Sequence, residues 1–315
     1  MSFVDQVDPE IARGLEFFPV ELMKAVGDDP PKAREMYQPI WDALADDLQP
    51  SEITIEERTI PGPDGEIAIV VYEPPTPAPR GALLWIHGGG FIIGSGRNDP
   101  HGIGFSEHVG CTVVSVDYRL APENRYQAAV SDCVGALNWI FDSASQLGVD
   151  PMRIAIGGAS AGGGLTAGVS LYNRDHAGHD VAFQLLIYPM LDDRHDTPSG
   201  HAVTHPTVWN RELSFKAWKM YLGDEYGTDC VSPYAAAARA KDLSGLPPAL
   251  VTVGAMDLFR DEDIEFAQRL MAAGVPTDLQ VYAGMYHGAE MSVPDAVVSR
   301  RMRTEYRDAL KRAIG

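Results

Sequence analysis

A chain of 315 residues with 45% hydrophobic and 22% charged side chains has the make-up of a globular protein with a substantial core. Its 44 acidic residues outnumber 25 basic ones, leaving a formal charge of −19. Such a surface repels phosphate backbones and anionic lipid, which argues against nucleic-acid and membrane-surface roles. Three scattered cysteines, Cys111, Cys133 and Cys230, form neither a disulfide framework nor a CxxC zinc pattern. No apolar run approaches the ~20 residues that span a bilayer. The first residues lack the basic and then apolar pattern of a signal peptide. A reduced, cytoplasmic enzyme is the default expectation.

Residues 1–50 are acidic, with apolar side chains at helical intervals (Ile11, Leu15, Phe18; Trp41, Leu44, Leu48) interrupted by Asp28-Asp29-Pro30-Pro31. This predicts two or three short helices. The alternating ITIEERTI, the turn residues PGPDGE and the β-branched IAIVVYE predict a hairpin over 52–73. PPTPAPR, 74–80, reads as a stiff connector. From there short apolar runs alternate with helical patterns. Strands are predicted at 82–86, 112–116, 153–156, 183–188, 249–253 and 279–282, and helices near 99–109, 126–147, 161–173, 262–273 and 294–313. Runs apolar at every position suit parallel strands covered on both faces, so the expected class is α/β. About sixty residues separate Tyr188 from Ala249, among them the amphipathic VWNRELSFKAWKMYLG. A segment that leaves the carboxyl end of a strand and returns late is placed to cover a site there.

The glycine cluster in DPMRIAIGGASAGGG, 150–164, carries the chemistry. GASAG, 158–162, fits G-x-S-x-G between a predicted strand and a predicted helix, the context of a nucleophile elbow. A serine at a sharp strand-to-helix turn has strained backbone angles, and glycines two residues away on either side relieve the crowding. GGGLTA, 162–167, also matches a dinucleotide pattern. Its glycines lie too far into the helix, however, and NRDHAGHDVAF supplies no acidic residue closing a strand about twenty positions on.

A serine hydroxyl needs a base, and the base needs an acid to orient it. In the chain order Ser, acid, His, Asp257 lies just past the strand ending in ALVTV and His287 just past LQVY. Asp261 and Glu262 compete with Asp257 as the acid. Acidic residues there also suit the start of the following helix, which favours Asp257. Oxyanion donors are expected from HGGGF, 87–91, after the strand ALLWI, and from the N–H of Ala161.

Taken together, HGGGF, DYRLAPE (117–123), GASAGG (158–163), LSGLPPALVTVGAMDLFRDE (243–262) and YHG (286–288) resemble the hormone-sensitive-lipase-like, or bacterial family IV, carboxylesterases over residues 50–313. The resemblance implies an α/β-hydrolase fold, with a mostly parallel eight-stranded sheet flanked by helices and a helical cap. It implies cap helices in 1–50, a core in 51–188 and 247–315, and a cap insertion in 189–246. It also implies a Ser160–His287–Asp257 triad, an oxyanion hole from Gly89, Gly90 and Ala161, and hydrolysis of short- to medium-chain carboxylic esters with no cofactor and no metal. A small-molecule ester is the expected partner, without nucleic acid or membrane, and a homodimer is among the assemblies allowed.

Two positions depart from the family pattern. Ala159 stands where an aspartate is usual, which should change packing or polarity beside the elbow. Phe259 replaces the usual leucine and should reshape a nearby surface. Tyr118, Arg119 and Glu123 match a structural motif and are read as scaffold contacts. Trp218, Met220 and Tyr221 fit either a pocket wall or the cap's own core. Asp192, Asp193, His195, His201 and His205 crowd together, but their spacing fits no helical metal motif, and a polar cap loop explains them more simply. The alternatives are an amidase using the same triad, or a non-catalytic binding protein such as the gibberellin receptors, which lack the histidine kept here at 287.

Overall fold

The computed structural model describes residues 2–47, 52–97 and 99–315, with the backbone alone at 41–47. Leu48, the side chains of Trp41 and Leu44, and the expected boundary near residue 50 lie outside the described residues. In chain order, α1 (Val20–Asp28) and α2 (Pro30–Asp47) precede the hairpin β1 (Thr54–Gly62) and β2 (Gly65–Glu73). The alternating units then run β3 (Arg80–Ile86), α3 (Pro100–Val109), β4 (Thr112–Asp117), α4 (Tyr126–Asp142), β5 (Val149–Ala159), α5 (Ala161–Tyr172) and β6 (Phe183–Ile187). An inserted segment carries α6 (Pro198–Ala202) and α7 (Arg211–Leu222). The chain closes with β7 (Ala249–Gly254), α8 (Arg260–Ala272), β8 (Thr277–Tyr282), α9 (Ala289–Ser292) and α10 (Val297–Ile314). Among the described residues no helix is long and apolar enough to cross a membrane.

The eight strands form one sheet in the order β1-β2-β4-β3-β5-β6-β7-β8. β1 and β2, and β2 and β4, pair antiparallel, and every later pair is parallel. β6 and β7 are buried along their whole length and β3 from Gly81 onward, which is why they read as unbroken apolar runs. β1 instead ends the sheet with Glu56 and Glu57 exposed and Arg58 half-buried, charges that discourage further strand pairing. Because β3, β5, β7 and β8 run parallel, the loops after them open on one edge of the sheet. Those loops hold HGGGF, Ser160, Asp257 and His287.

Three elements differ from expectation. The helix expected to 147 ends at Asp142. Ser143 starts a turn in which the Leu147 N–H returns to the Ser143 carbonyl at 2.9 Å, and left-handed Gly148 redirects the chain into β5. β5 is accordingly longer than its apolar centre, beginning at Val149. The helix expected from 294 starts at Val297, after the short α9.

The N-terminal helices and the inserted segment meet over the carboxyl edge of the sheet. α1 packs on α7, with Lys216 Nζ 2.7 Å from Asp28 Oδ1 and the Leu213 and Lys216 side chains against Gly27. Trp218 and Tyr221 are fully buried and pack on Phe91, so they belong to this layer's interior. The start of the insertion is tied down by buried charge. Asp193, 1% exposed, takes a forked pair of bonds from Arg239 at 2.6 and 2.8 Å. Removing one partner of such a pair strands the other charge in a poorly solvated place. Asp193→Ala is therefore expected to lower unfolding free energy by about 3 kcal/mol. Asp196→Ala, at a side chain 89% exposed, should stay within about 0.5 kcal/mol. Urea unfolding of the two variants beside wild type measures both, and equal losses would contradict the assignment.

Candidate active site

The elbow forms because three backbone segments approach too closely for side chains. A Cβ on Gly162 would lie 2.0 Å from the Ile86 carbonyl oxygen, and one on Gly158 would lie 2.3 Å from that of Gly162. Both obstacles are backbone, which cannot swing aside. Between them Ser160 sits at φ 57° and ψ −120°, a conformation costly for any residue with a Cβ. Its surroundings hold it there: its N–H donates to Ile187 O at 2.9 Å, and its carbonyl accepts from Gly164 at 3.0 Å and Met190 at 2.9 Å. The side chain is thereby presented at the first turn of α5, where helix N–H groups lack intrahelical partners. The glycines of GGGLTA lie inside α5 and pack on Ile86, Pro189 and Met190.

The structure brings the three expected side chains together. Ser160 Oγ lies 2.9 Å from His287 Nε2, and His287 Nδ1 lies 2.8 Å from Asp257 Oδ2. Asp257 is fully buried, and its Oδ1 accepts the Phe259 N–H at 3.0 Å. A carboxylate only accepts, so Nδ1 carries the imidazole hydrogen and Nε2 turns a lone pair to the serine hydroxyl. Two backbone bonds fix the loop after β7 to that after β8: Ala255 N–H to Tyr282 O at 2.8 Å, and Met256 N–H to Met285 O at 2.9 Å. The His287 ring is also bracketed edge-to-face, by Tyr188 at 4.6 Å and Phe259 at 5.1 Å between centroids. Phe259, the departure from the family leucine, thus acts on the imidazole itself. Tyr188 was not legible as a site residue; its hydroxyl donates to buried Glu290.

Asp261 and Glu262 stand in the first turn of α8, as expected, and it is Asp257 that bonds His287. Asp261 accepts the Ser199 N–H at 2.7 Å, and Glu262 accepts those of Leu191 and Asp192 at 2.9 and 3.1 Å, so both anchor the inserted segment. The histidine- and aspartate-rich stretch disperses. Asp192 pairs with Arg194 and Asp193 with Arg239, His205 bonds Thr207, and His195 is buried and uncharged, its pKa lowered to about 4 by desolvation. Tyr118 donates to His87 O at 3.0 Å, Arg119 forks onto Asp132, and Glu123 receives Arg34, all scaffold contacts.

Gly89 and Gly90 take the left-handed φ values of 107° and 61°. Among the described residues no partner takes either N–H. A cavity of about 590 Å³ opens between Ser160, His287 and Gly89 on one side and Phe18, Met23, Val208 and Trp209 on the other. That volume is in the range of small-molecule pockets. Gly90 and Ala161 are not among its lining residues, and Gly90 lies against the Trp209 indole. Ala159 lines it too, so the family's aspartate is exchanged for an apolar surface beside the serine. At the far end Asp99 accepts from Trp85 Nε1 at 2.6 Å and pairs with His101 at 2.9 Å.

Residues 83–291 match the family described as alpha/beta hydrolase fold. The chain is 36% identical to the carboxylesterase NlhH of Mycobacterium tuberculosis, over 90% of this chain and 88% of that one. Among solved structures it is similar to a bacterial heroin esterase, with a TM-score of 0.94 and 40% identity covering 99% of both chains. An esterase of Pyrobaculum calidifontis superposes with a TM-score of 0.88 at 32% identity, covering 97% of this chain and 98% of its own.

Behind the site, Asp263 is fully buried, and among the described residues neither of its carboxyl oxygens has a hydrogen-bond partner. Burial, and then the neighbouring Glu262 and Asp257 carboxylates, push its pKa well above the ordinary range. The native protein therefore keeps a proton that the unfolded chain releases above about pH 4, and stability drains away as pH rises from there. Asp263→Asn should match wild type near pH 4 and become progressively more stable towards pH 7, by roughly 2–4 °C in Tm for each kcal/mol recovered. Thermal melts across that range test this, and a difference that does not grow with pH would refute it.

Proposed function

The chain belongs to the α/β-hydrolase fold family, among the hormone-sensitive-lipase-like carboxylic ester hydrolases, and from that premise we propose that Ser160, His287 and Asp257 carry out its ester hydrolysis. The observation that supports this most is the unbroken run of bonds from Ser160 Oγ to Nε2 at 2.9 Å and from Nδ1 to Asp257 at 2.8 Å. Ser160 Oγ attacks the ester carbonyl carbon while Nε2 takes the hydroxyl proton. The imidazolium that forms is stabilised by Asp257, whose buried carboxylate also holds the productive tautomer. Charge on the former carbonyl oxygen is met by the N–H groups of Gly89, Gly90 and Ala161, the last at a helix N-terminus. When the tetrahedral intermediate collapses, His287 returns the proton to the departing alcohol, leaving an acyl-serine. Water, deprotonated by the same nitrogen, then releases the acid and restores Ser160.

The cavity supports a substrate class. Its volume and its largely apolar wall of Phe18, Met23 and Val208 suit short- to medium-chain acyl esters of small alcohols. Residues 1–50 and 189–246 act as a cap over a catalytic core of 51–188 and 247–315. A cytoplasmic location suits three cysteines that are all unpaired.

Hydrolysis of p-nitrophenyl esters from acetate to decanoate tests this reading. Turnover should favour the shorter chains. Ser160→Ala should cost about 10⁴–10⁶-fold in kcat, and Asp257→Asn about 10⁴-fold through the wrong tautomer. Undiminished turnover by Ser160→Ala would overturn the assignment.

A further inference from the structure

Three residues of the loop after β3, Gly90, Phe91 and Ile92, are gripped by parts of the chain that contribute nothing to the triad. Phe91, directly after Gly90, has a φ of 67° despite its side chain and is fully buried. Its ring lies face to face on Tyr221 of α7, at 3.8 Å between centroids and 9° between planes, with Trp218 5.1 Å away. Trp209 occupies the space a Gly90 side chain would need, since a Cβ there would fall 2.1 Å from its ring. From the other side, Arg34 of α2 donates from Nε to Ile92 O at 2.9 Å and from Nη2 to Ala121 O at 2.7 Å. The Ala121 N–H in turn bonds Phe91 O at 2.9 Å, and Glu123 fixes the guanidinium through two bonds of 2.9 Å.

A non-glycine residue at positive φ stays there only when its surroundings over-determine it. The surroundings here are the N-terminal helix and the insertion, and the strained residue adjoins Gly89 and Gly90. We infer that Arg34 is a positioning residue for ester hydrolysis: by tethering the Ile92 and Ala121 carbonyls it holds the Gly89 and Gly90 N–H groups where the developing oxyanion needs them. This inference rests on the proposed role of those two N–H groups. Docking of the N-terminal helices therefore sets the rate of the chemical step as well as enclosing the substrate. Arg34 never touches the substrate's reacting atoms. Its planar fork serves two carbonyls and a carboxylate at once, a geometry that lysine does not reproduce.

The test is steady-state kinetics on p-nitrophenyl butyrate with Arg34→Ala and Arg34→Lys. A displaced donor loop stabilises the transition state less while leaving ground-state binding alone, so kcat should fall about 10²-fold with KM within about 3-fold of wild type. Added guanidinium chloride, kept well below denaturing concentration, should restore part of the loss in Arg34→Ala, and equal sodium chloride should not. Should Arg34→Ala fail to fold, Arg34→Lys keeps the stem and charge and should show the same split between kcat and KM. Glu123→Gln, which loosens the guanidinium from its exposed side, should show a smaller fall of the same kind. A kcat within 2-fold of wild type in the folded variants, or a loss confined to KM, overturns the inference and leaves the triad reading intact. Activity persisting in Ser160→Ala would instead strike at the reading beneath it.

Discussion

The hydrogen bond between Ser160 and His287 is the contact on which the rest of the molecule converges. Its partners are 127 residues apart in the chain, so nothing local brings them together. The sheet does so, by placing the ends of β5 and β8 on one edge, and the fully buried Asp257 between them holds the imidazole so that its lone pair meets the hydroxyl. Removing the carboxylate from water favours this, because its remaining oxygen is satisfied by a backbone N–H and its charge is screened little.

Of the four non-glycine residues at positive φ among the described residues, three lie where chemistry is proposed and the fourth, His195, lies in the insertion. Ser160, Phe91 and Tyr188 all have positive φ, and each touches a different part of the site: the nucleophile itself, the donor loop, and the face of the imidazole. Such conformations persist because the core around them is close-packed and leaves no relaxed alternative. At the elbow the constraint is the approach of α5 to β3, which leaves no room for a Cβ on Gly162. At Phe91 it is the stack on Tyr221. At Tyr188 it is an N–H bond to Thr252 O and a hydroxyl bond to Glu290. The covering layer of N-terminal helices and insertion is therefore mechanically continuous with the loops beneath it.

What could be read from the sequence divides along the range of the interactions. The eight strands, the elbow and the placing of Asp257 and His287 were legible because each depends on a local pattern followed by a strand or helix end. The end of α4 was misjudged because apolar periodicity continues past Ser143 while the backbone has already turned. Asp261 and Glu262 do stand in the first turn of α8, as their pattern indicates, but that position does not reveal what they bond. Their actual partners, Ser199, Leu191 and Asp192, lie about sixty to seventy residues away. Arg34 bonds carbonyls 58 and 87 positions along the chain, and no periodicity encodes such a contact. Phe259 stood out only as a departure from a family pattern, and that its ring faces His287 required the fold.

The central claim is that one hydroxyl, and no other nucleophile, carries the acyl group. It is tested most directly by reacting the protein with diethyl p-nitrophenyl phosphate and mapping the product by peptide mass spectrometry. The account predicts one diethylphosphoryl group per chain, on Ser160, appearing in step with loss of esterase activity and suppressed in His287→Ala. Full inactivation with Ser160 unmodified, or with the group on another residue, would contradict it.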